Sequence, residues 1–125
     1  MIARLSWLTA LVLTAFLAAA CESTHEKGVK SNMHTQWTDV NANTQKATDA
    51  AKAVLEAEGL RDVKATGTNL DGEASGKMAD GTKISVSIKK KSDNISQVSV
   101  VVGTMGSPST GAEIAKKIKM RAEGA

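Results

Sequence analysis

The apolar positions of this chain change their spacing at Gly59. Between Asn43 and Gly59 they recur every three or four residues, which predicts one amphipathic helix. After Gly59 they alternate with polar residues, and this period of two predicts four consecutive strands, over residues 62–68, 73–79, 82–91 and 95–104. Weaker alternation predicts a further strand over residues 33–40, and the last apolar stripe predicts a helix over residues 112–122.

Local signals mark the ends of these elements. Asn43 or Thr44 can accept a backbone N–H at the start of the first helix, and Gly59 suits the left-handed residue that ends it. Asp80–Gly81 predicts a two-residue hairpin turn, because both residue types tolerate a positive φ. A loop around the only proline is predicted over residues 105–111, before the second helix.

This order of elements predicts an α+β domain over residues 33–123. The economical arrangement is a two-layer sandwich, in which an antiparallel sheet of four or five strands carries both helices on one face. Two strands have clear inward positions: Ile84, Val86 and Ile88 in one, and Val98, Val100 and Val102 in the other. The opposite sheet face carries Ser, Thr and Lys, and we expect it to be solvated.

Residues 1–20 have the three parts of a secretory signal peptide: a basic start at Arg4, an apolar run, and small residues before a cleavage point. The apolar run of about 16 residues is short for a membrane span, which needs about 20. Ala19, Ala20 and Cys21 resemble the end of a bacterial lipobox, although Ala18 occupies the position where the lipobox prefers Leu.

The lipobox resemblance implies cleavage between Ala20 and Cys21, a diacylglyceryl group on the Cys21 thiol, and an acyl chain such as palmitate on the new amine. Acylation would also consume the only thiol of the chain, which has no disulfide partner. Residues 21–32 are polar and predict a flexible tether. Glu22, where an Asp would favour retention in the inner membrane, indicates the outer membrane, facing the periplasm. A plain signal peptide and an uncleaved anchor remain alternatives.

Composition limits what the domain can do. Removing Arg4 with the signal lowers the formal net charge from +3 to +2, which is too small an excess to indicate nucleic acid binding. Trp37 is the only aromatic residue after the predicted signal, and we expect it to cover the edge of the core, with a surface contact as the alternative. Lys89, Lys90 and Lys91 end an exposed strand; they predict either edge protection or contact with an anionic membrane surface.

Catalytic and cofactor motifs are not apparent in the sequence. His25 and His34 are the only histidines, so neither a nucleophile–base pair nor a metal site is predicted. No glycine-rich loop opens a helix in the manner of a nucleotide site. We therefore expect no enzymatic activity, no cofactor and no metal.

The segment Lys77–Gly106 resembles a family of small bacterial lipoproteins known as domain of unknown function 3568. The similarity rests on "ADGT", the alternating strand after it, the "SDN" turn and "VSVVVGTMG", with "LEAEGL" upstream and "IAKKI" downstream in the same order. The resemblance implies an envelope lipoprotein of unknown activity without catalytic residues. We expect an interaction or structural domain that binds an envelope protein; the alternative is a module that binds a small ligand or a lipid in a cavity between helices and sheet.

Overall fold

The computed structural model describes residues 28–124, which form an α+β fold with two helices and one open, six-stranded antiparallel sheet. The sheet order is β1-β2-β6-β5-β4-β3. The predicted α+β class is confirmed, whereas Arg4, Ala20 and Cys21 lie outside the described residues. The elements are β1 Lys30–Ser31, β2 Thr35–Val40, α1 Thr44–Ala57, β3 Arg61–Gly67, β4 Asp71–Lys77, β5 Lys83–Ser92, β6 Ile95–Val102 and α2 Pro108–Gly124.

The sheet has one strand more than the four or five predicted. In β1, Lys30 lies opposite Trp37 and Ser31 opposite Gln36, within the segment predicted to be tether. Asn32 forms the turn between β1 and β2, where its side-chain oxygen accepts the N–H of His34 at 2.8 Å and of Thr35 at 2.7 Å. A strand of two residues is too short to show alternation in the sequence, so β1 can be identified only from its pairing with β2.

Helix α1 has the ends that the sequence predicts. The Asn43 side chain accepts the Lys46 N–H at 2.8 Å, which satisfies one of the free donors of the first turn. Gly59 adopts a φ of 82° after the helix. The Leu60 N–H then donates to the Leu55 carbonyl at 3.1 Å, and the Leu60 side chain packs against the core.

Two predicted boundaries are wrong. The β4–β5 connection is a five-residue loop, Met78–Thr82, and not a two-residue turn at Asp80–Gly81, because Lys77 lies opposite Lys83. Helix α2 begins at Pro108 and not after residue 111. Proline suits the first helical position because its missing N–H would have had no partner there, and the Gly111 N–H donates to Ser107 at 2.8 Å.

The core combines alternating residues of the sheet with buried residues of both helices. The predicted inward positions of β5 and β6 are all buried, with exposures of 0–5% for Ile84, Val86, Ile88, Val98, Val100 and Val102. Helix α1 contacts β3, β4 and β5, while α2 contacts β2 and β6. Small residues allow close approach: Thr48 of α1 packs on Gly67 and Gly72, and the Gln36 side chain packs on Gly111 of α2.

Hydrogen bonds of two charged side chains, Glu123 and Lys119, connect the end of α2 to the end of β2 and the β2–α1 connection. One carboxylate oxygen of Glu123 accepts the Asn41 N–H and the Lys119 ammonium, both at 2.8 Å, and Lys119 also donates to the Asp39 carbonyl at 2.9 Å. Burial by itself raises the pKa of Glu123, but these two donors outweigh burial, and the net effect is a lowered pKa. The ionised carboxylate therefore contributes stability above its ordinary pKa, and this contribution is lost as the pH falls through the lowered value.

Glu123→Gln should lower the free energy of unfolding by about 0.5–1 kcal/mol at pH 7, because the amide loses the charge-assisted bonds. The difference from wild type should shrink as the pH is lowered through the Glu123 pKa, because the protonated wild-type carboxyl is then neutral, as the Gln amide is. Urea unfolding at a series of pH values measures both effects. Glu113→Gln is the matched control, since Glu113 is 59% exposed and pairs with Lys117 of its own helix. A deficit in Glu123→Gln that does not change with pH would contradict the charge argument.

Candidate functional site

The face of the sheet opposite the buried core, called the open face here, is assigned by strand register. In an antiparallel sheet, residues directly opposite each other point to the same side. Four rows of such residues cross the open face. They are Lys83–Lys77–Arg61, Thr35–Val101–Ser85–Ser75–Lys64, Lys30–Trp37–Ser99–Ser87–Glu73–Thr66 and Asp39–Gln97–Lys89–Asp71. The centre of this surface is therefore rich in serine.

Trp37 lies on the open face between Lys30 and Ser99, where it is half-buried. The prediction that it covers the edge of the core is wrong. The inward positions of β2 are Gln36, Thr38 and Val40. Two of these are polar, and both donate hydrogen bonds: Gln36 donates to Ser31 Oγ at 3.0 Å, and Thr38 donates to the Gly28 carbonyl at 2.8 Å. The buried Gln36 Oε1 accepts no hydrogen bond from the described residues.

Lys89, Lys90 and Lys91 do not form one patch. Lys89 lies opposite Gln97 on the open face, whereas Lys90 lies opposite the buried Ser96, on the other face of the sheet. A register shift follows Lys90, and the Lys91 ammonium reaches Asp39 at 3.0 Å across β6. Lys90 pairs with Asp93 at 3.3 Å. Two of the three charges are thus paired with acids.

A basic cluster without an acidic partner among residues 28–124 lies elsewhere on the open face, where β3 and β5 begin and β4 ends. We call Arg61, Lys64, Lys77 and Lys83 the cationic row. These residues are scattered over 23 positions of the sequence, so no charge run marks them. The correct pairing of β3 with β4 and of β4 with β5 would have indicated the cluster. The predicted two-residue turn at Asp80–Gly81 gives a different pairing, in which Lys83 lies opposite Met78 and not Lys77.

The surface depressions near this face are shallow. One of about 480 Å³ is bounded by the β4–β5 loop, Ser85 and Val101. Another of about 220 Å³ lies in the cationic row. The Asp80 carboxylate at the first depression accepts the Thr82 backbone N–H at 2.9 Å, and this bond, together with one from the Thr82 hydroxyl, lowers the pKa of Asp80. Asp80 therefore stabilises the β4–β5 loop by hydrogen bonding.

Residues 28–124 contain neither a cluster of metal-ligating side chains nor a helix that could span a membrane. No three His, Cys, Asp or Glu side chains of this part lie close enough to hold a metal ion. Neither α1 nor α2 has the length and continuous apolarity of a membrane span. His34 lies exposed in the β1–β2 turn, while His25 lies outside the described residues.

The fold and this surface define a small α+β domain that presents one face of an antiparallel sheet to solvent. The chain belongs to the family described as Protein of unknown function (DUF3568), whose model matches residues 4–121. This match confirms the resemblance noted over Lys77–Gly106. A search of curated proteins finds no match.

Proposed function

We propose that this chain is a lipid-anchored protein of the bacterial cell envelope, whose domain binds another envelope protein through the open face. The observation that carries the interaction role is the position of Trp37. A half-buried tryptophan on a solvated sheet face, beside Ser99 and Val101, combines apolar area with neighbouring hydrogen-bonding groups. Tryptophan is enriched at protein interfaces for this reason.

The lipid anchor is proposed from the sequence around Cys21. The apolar run, the small residues before Cys21 and the polar segment after it fit a lipidated N-terminus. The family match begins at residue 4 and so includes this region, which argues against a chance extension of the domain. Glu22 favours the outer membrane, with the domain facing the periplasm. Cys21 and Gly28 can be at most about 25 Å apart along an extended chain, which would hold the domain near the membrane.

The two-layer arrangement is part of this proposal, because it leaves the open face free. The packing of α1 on Gly72 and of α2 on Gln36 supports it, since both contacts lie on the side of the sheet that carries Val86 and Val100. The same contacts argue against a ligand cavity between the layers. A Cβ at Gly67 would already lie 3.2 Å from the Thr48 hydroxyl, so little room is left for a small molecule.

Site-specific photocrosslinking in the native membrane tests the interaction role. A photoreactive residue at Ser87, on the open face in the row of Trp37, should give one crosslinked species of defined mass. The same residue at Met120, which is 63% exposed on α2, is the matched control and should not give it. Trp37→Ala should weaken the Ser87 crosslink several-fold, because truncating a central aromatic residue of an interface typically costs more than 1 kcal/mol.

Equal crosslinking from Ser87 and Met120 would contradict the proposed role of the open face. So would an unchanged Ser87 crosslink in Trp37→Ala. The circular dichroism spectrum and the urea midpoint of the variant should be checked first, so that loss of crosslinking is not confused with loss of the fold.

A further inference from the structure

We propose that the cationic row is a binding site for a phosphate group. The register places Arg61 opposite Lys77 and Lys77 opposite Lys83, so three cationic side chains stand side by side across three strands. Lys64 joins them from the next row, opposite Ser75. Directly opposite residues have Cβ atoms only about 4.5–5.5 Å apart, and like charges in such pairs destabilise a sheet.

A bulge in β3 builds this arrangement. Arg61 and Lys64 are three residues apart, yet they lie opposite Lys77 and Ser75, which are two apart. Regular alternation from Lys64 would send Arg61 to the helix side; the extra residue returns it to the open face. Asp62, in the bulge, has a φ of 53°, the one positive φ of a non-glycine residue among the described residues. Such backbone conformations cost energy and recur at functional sites.

No acid of the described residues forms an ion pair with Arg61, Lys64, Lys77 or Lys83. This contrasts with Lys91, Lys90 and Lys117, each of which has a carboxylate partner. Three of these cations thus lie at directly opposite positions, where like charges destabilise a sheet. An anion that bound among these side chains would offset the repulsion between them. The cluster is therefore better explained as an anion site than as a contribution to the stability of the sheet.

The depression in the row suits a small anion of high charge. Its volume is about 220 Å³, and Lys64, Lys77 and Lys83 line it together with Asp62, Ser75 and Gly76. Three ammonium groups and the Ser75 hydroxyl can donate to several oxygens at once. The Asp62 carboxylate lowers the net positive charge of the depression. A doubly charged phosphate still gains more from the remaining positive charge than a singly charged carboxylate does, because the attraction grows with the charge of the ligand. This inference does not depend on the lipid anchor or on the open-face partner.

Titration of the isotope-labelled full chain with inorganic phosphate tests the site by NMR. Chloride should be adjusted to hold the ionic strength constant, so that screening does not change, and a neutral detergent keeps the chain in solution. Saturable shifts are expected at the amides of Lys64, Lys77 and Lys83. Replacing these three lysines by Gln should weaken binding about fivefold for each lysine. Replacing Lys89, Lys90 and Lys91 by Gln removes the same charge and should leave the affinity unchanged.

The proposal is overturned if phosphate gives no saturable shift, or if both triple variants lose affinity equally, since net charge alone would then explain binding. The site variant should stay folded, because it removes repulsion; a dispersed spectrum verifies this. Lys77→Gln, at the middle of the row, provides a second variant with an expected fivefold loss.

The source of the phosphate is distinguished on the same chain. Glycerol phosphate represents a soluble monoester, and glycerophosphoglycerol represents the diester headgroup of an anionic lipid. Tighter binding of the monoester assigns the row to a soluble phosphorylated compound. Tighter binding of the diester assigns it to a membrane surface, where Cys21 would hold the domain if it is lipidated.

Discussion

Val100→Asp is expected to unfold the domain. Val100 is fully buried in β6, between Gln36 of β2 and Val86 of β5. An aspartate there would place a carboxylate in the buried core, where the neighbouring Gln36 amide already donates its N–H groups to Ser31 and Asn32. The cost should be about 4 kcal/mol or more, which approaches the whole stability of a small domain.

Ser85→Asp is the matched control for Val100→Asp. Ser85 lies in the neighbouring strand but on the open face, opposite Val101 and Ser75. A carboxylate there stays in contact with water, so the change in stability should be within about 0.5 kcal/mol. Urea unfolding followed by circular dichroism compares the two variants. Equal losses would mean that the buried and open faces of the sheet have been assigned in reverse.

Cys21→Ser is expected to abolish lipid attachment. Serine lacks the thiol that a diacylglyceryl group would alkylate, so radiolabelled palmitate should no longer enter the protein. Each acyl CH₂ buried in a bilayer contributes about 0.8 kcal/mol, so two or three chains would give stable attachment where a single chain is marginal. Glu22→Gln changes the next residue and leaves the thiol in place; it should keep the label.

Membrane fractionation completes the test of Cys21. The apolar run of residues 5–20 could itself retain an unprocessed chain, so it should be replaced by an ordinary cleavable signal peptide in the Cys21→Ser variant. The domain should then appear in the soluble fraction. A labelled Cys21→Ser protein, or a processed domain that stays with membranes in high salt, would show that the anchor proposal is wrong.

Local patterns determined the class of fold and most of its elements. Helix α1, with its Asn43 cap and its Gly59 end, depends on neighbours in the chain, and such short-range interactions can be identified from sequence. The faces of β5 and β6 were also predicted correctly, because Ile84 to Ile88 alternate strictly with serine and Val98 to Val102 depart from alternation only at Val101. Family membership followed from the order of the same short motifs.

The tertiary structure alone decided the face and the pairing of the remaining strands. Trp37 points away from the core because Gln36 and Thr38 found hydrogen-bond partners in residues 28–32, and polarity along β2 cannot show that. A shift of one residue in a strand sends every side chain to the other face. The five-residue β4–β5 loop and the β3 bulge set those shifts here, and through them they bring Arg61, Lys77 and Lys83 into one row. The sequence by itself determined the helices and most strands, because these depend on neighbouring residues. Strand register depends on contacts between distant segments, so only the tertiary structure decided which charged residues lie opposite each other.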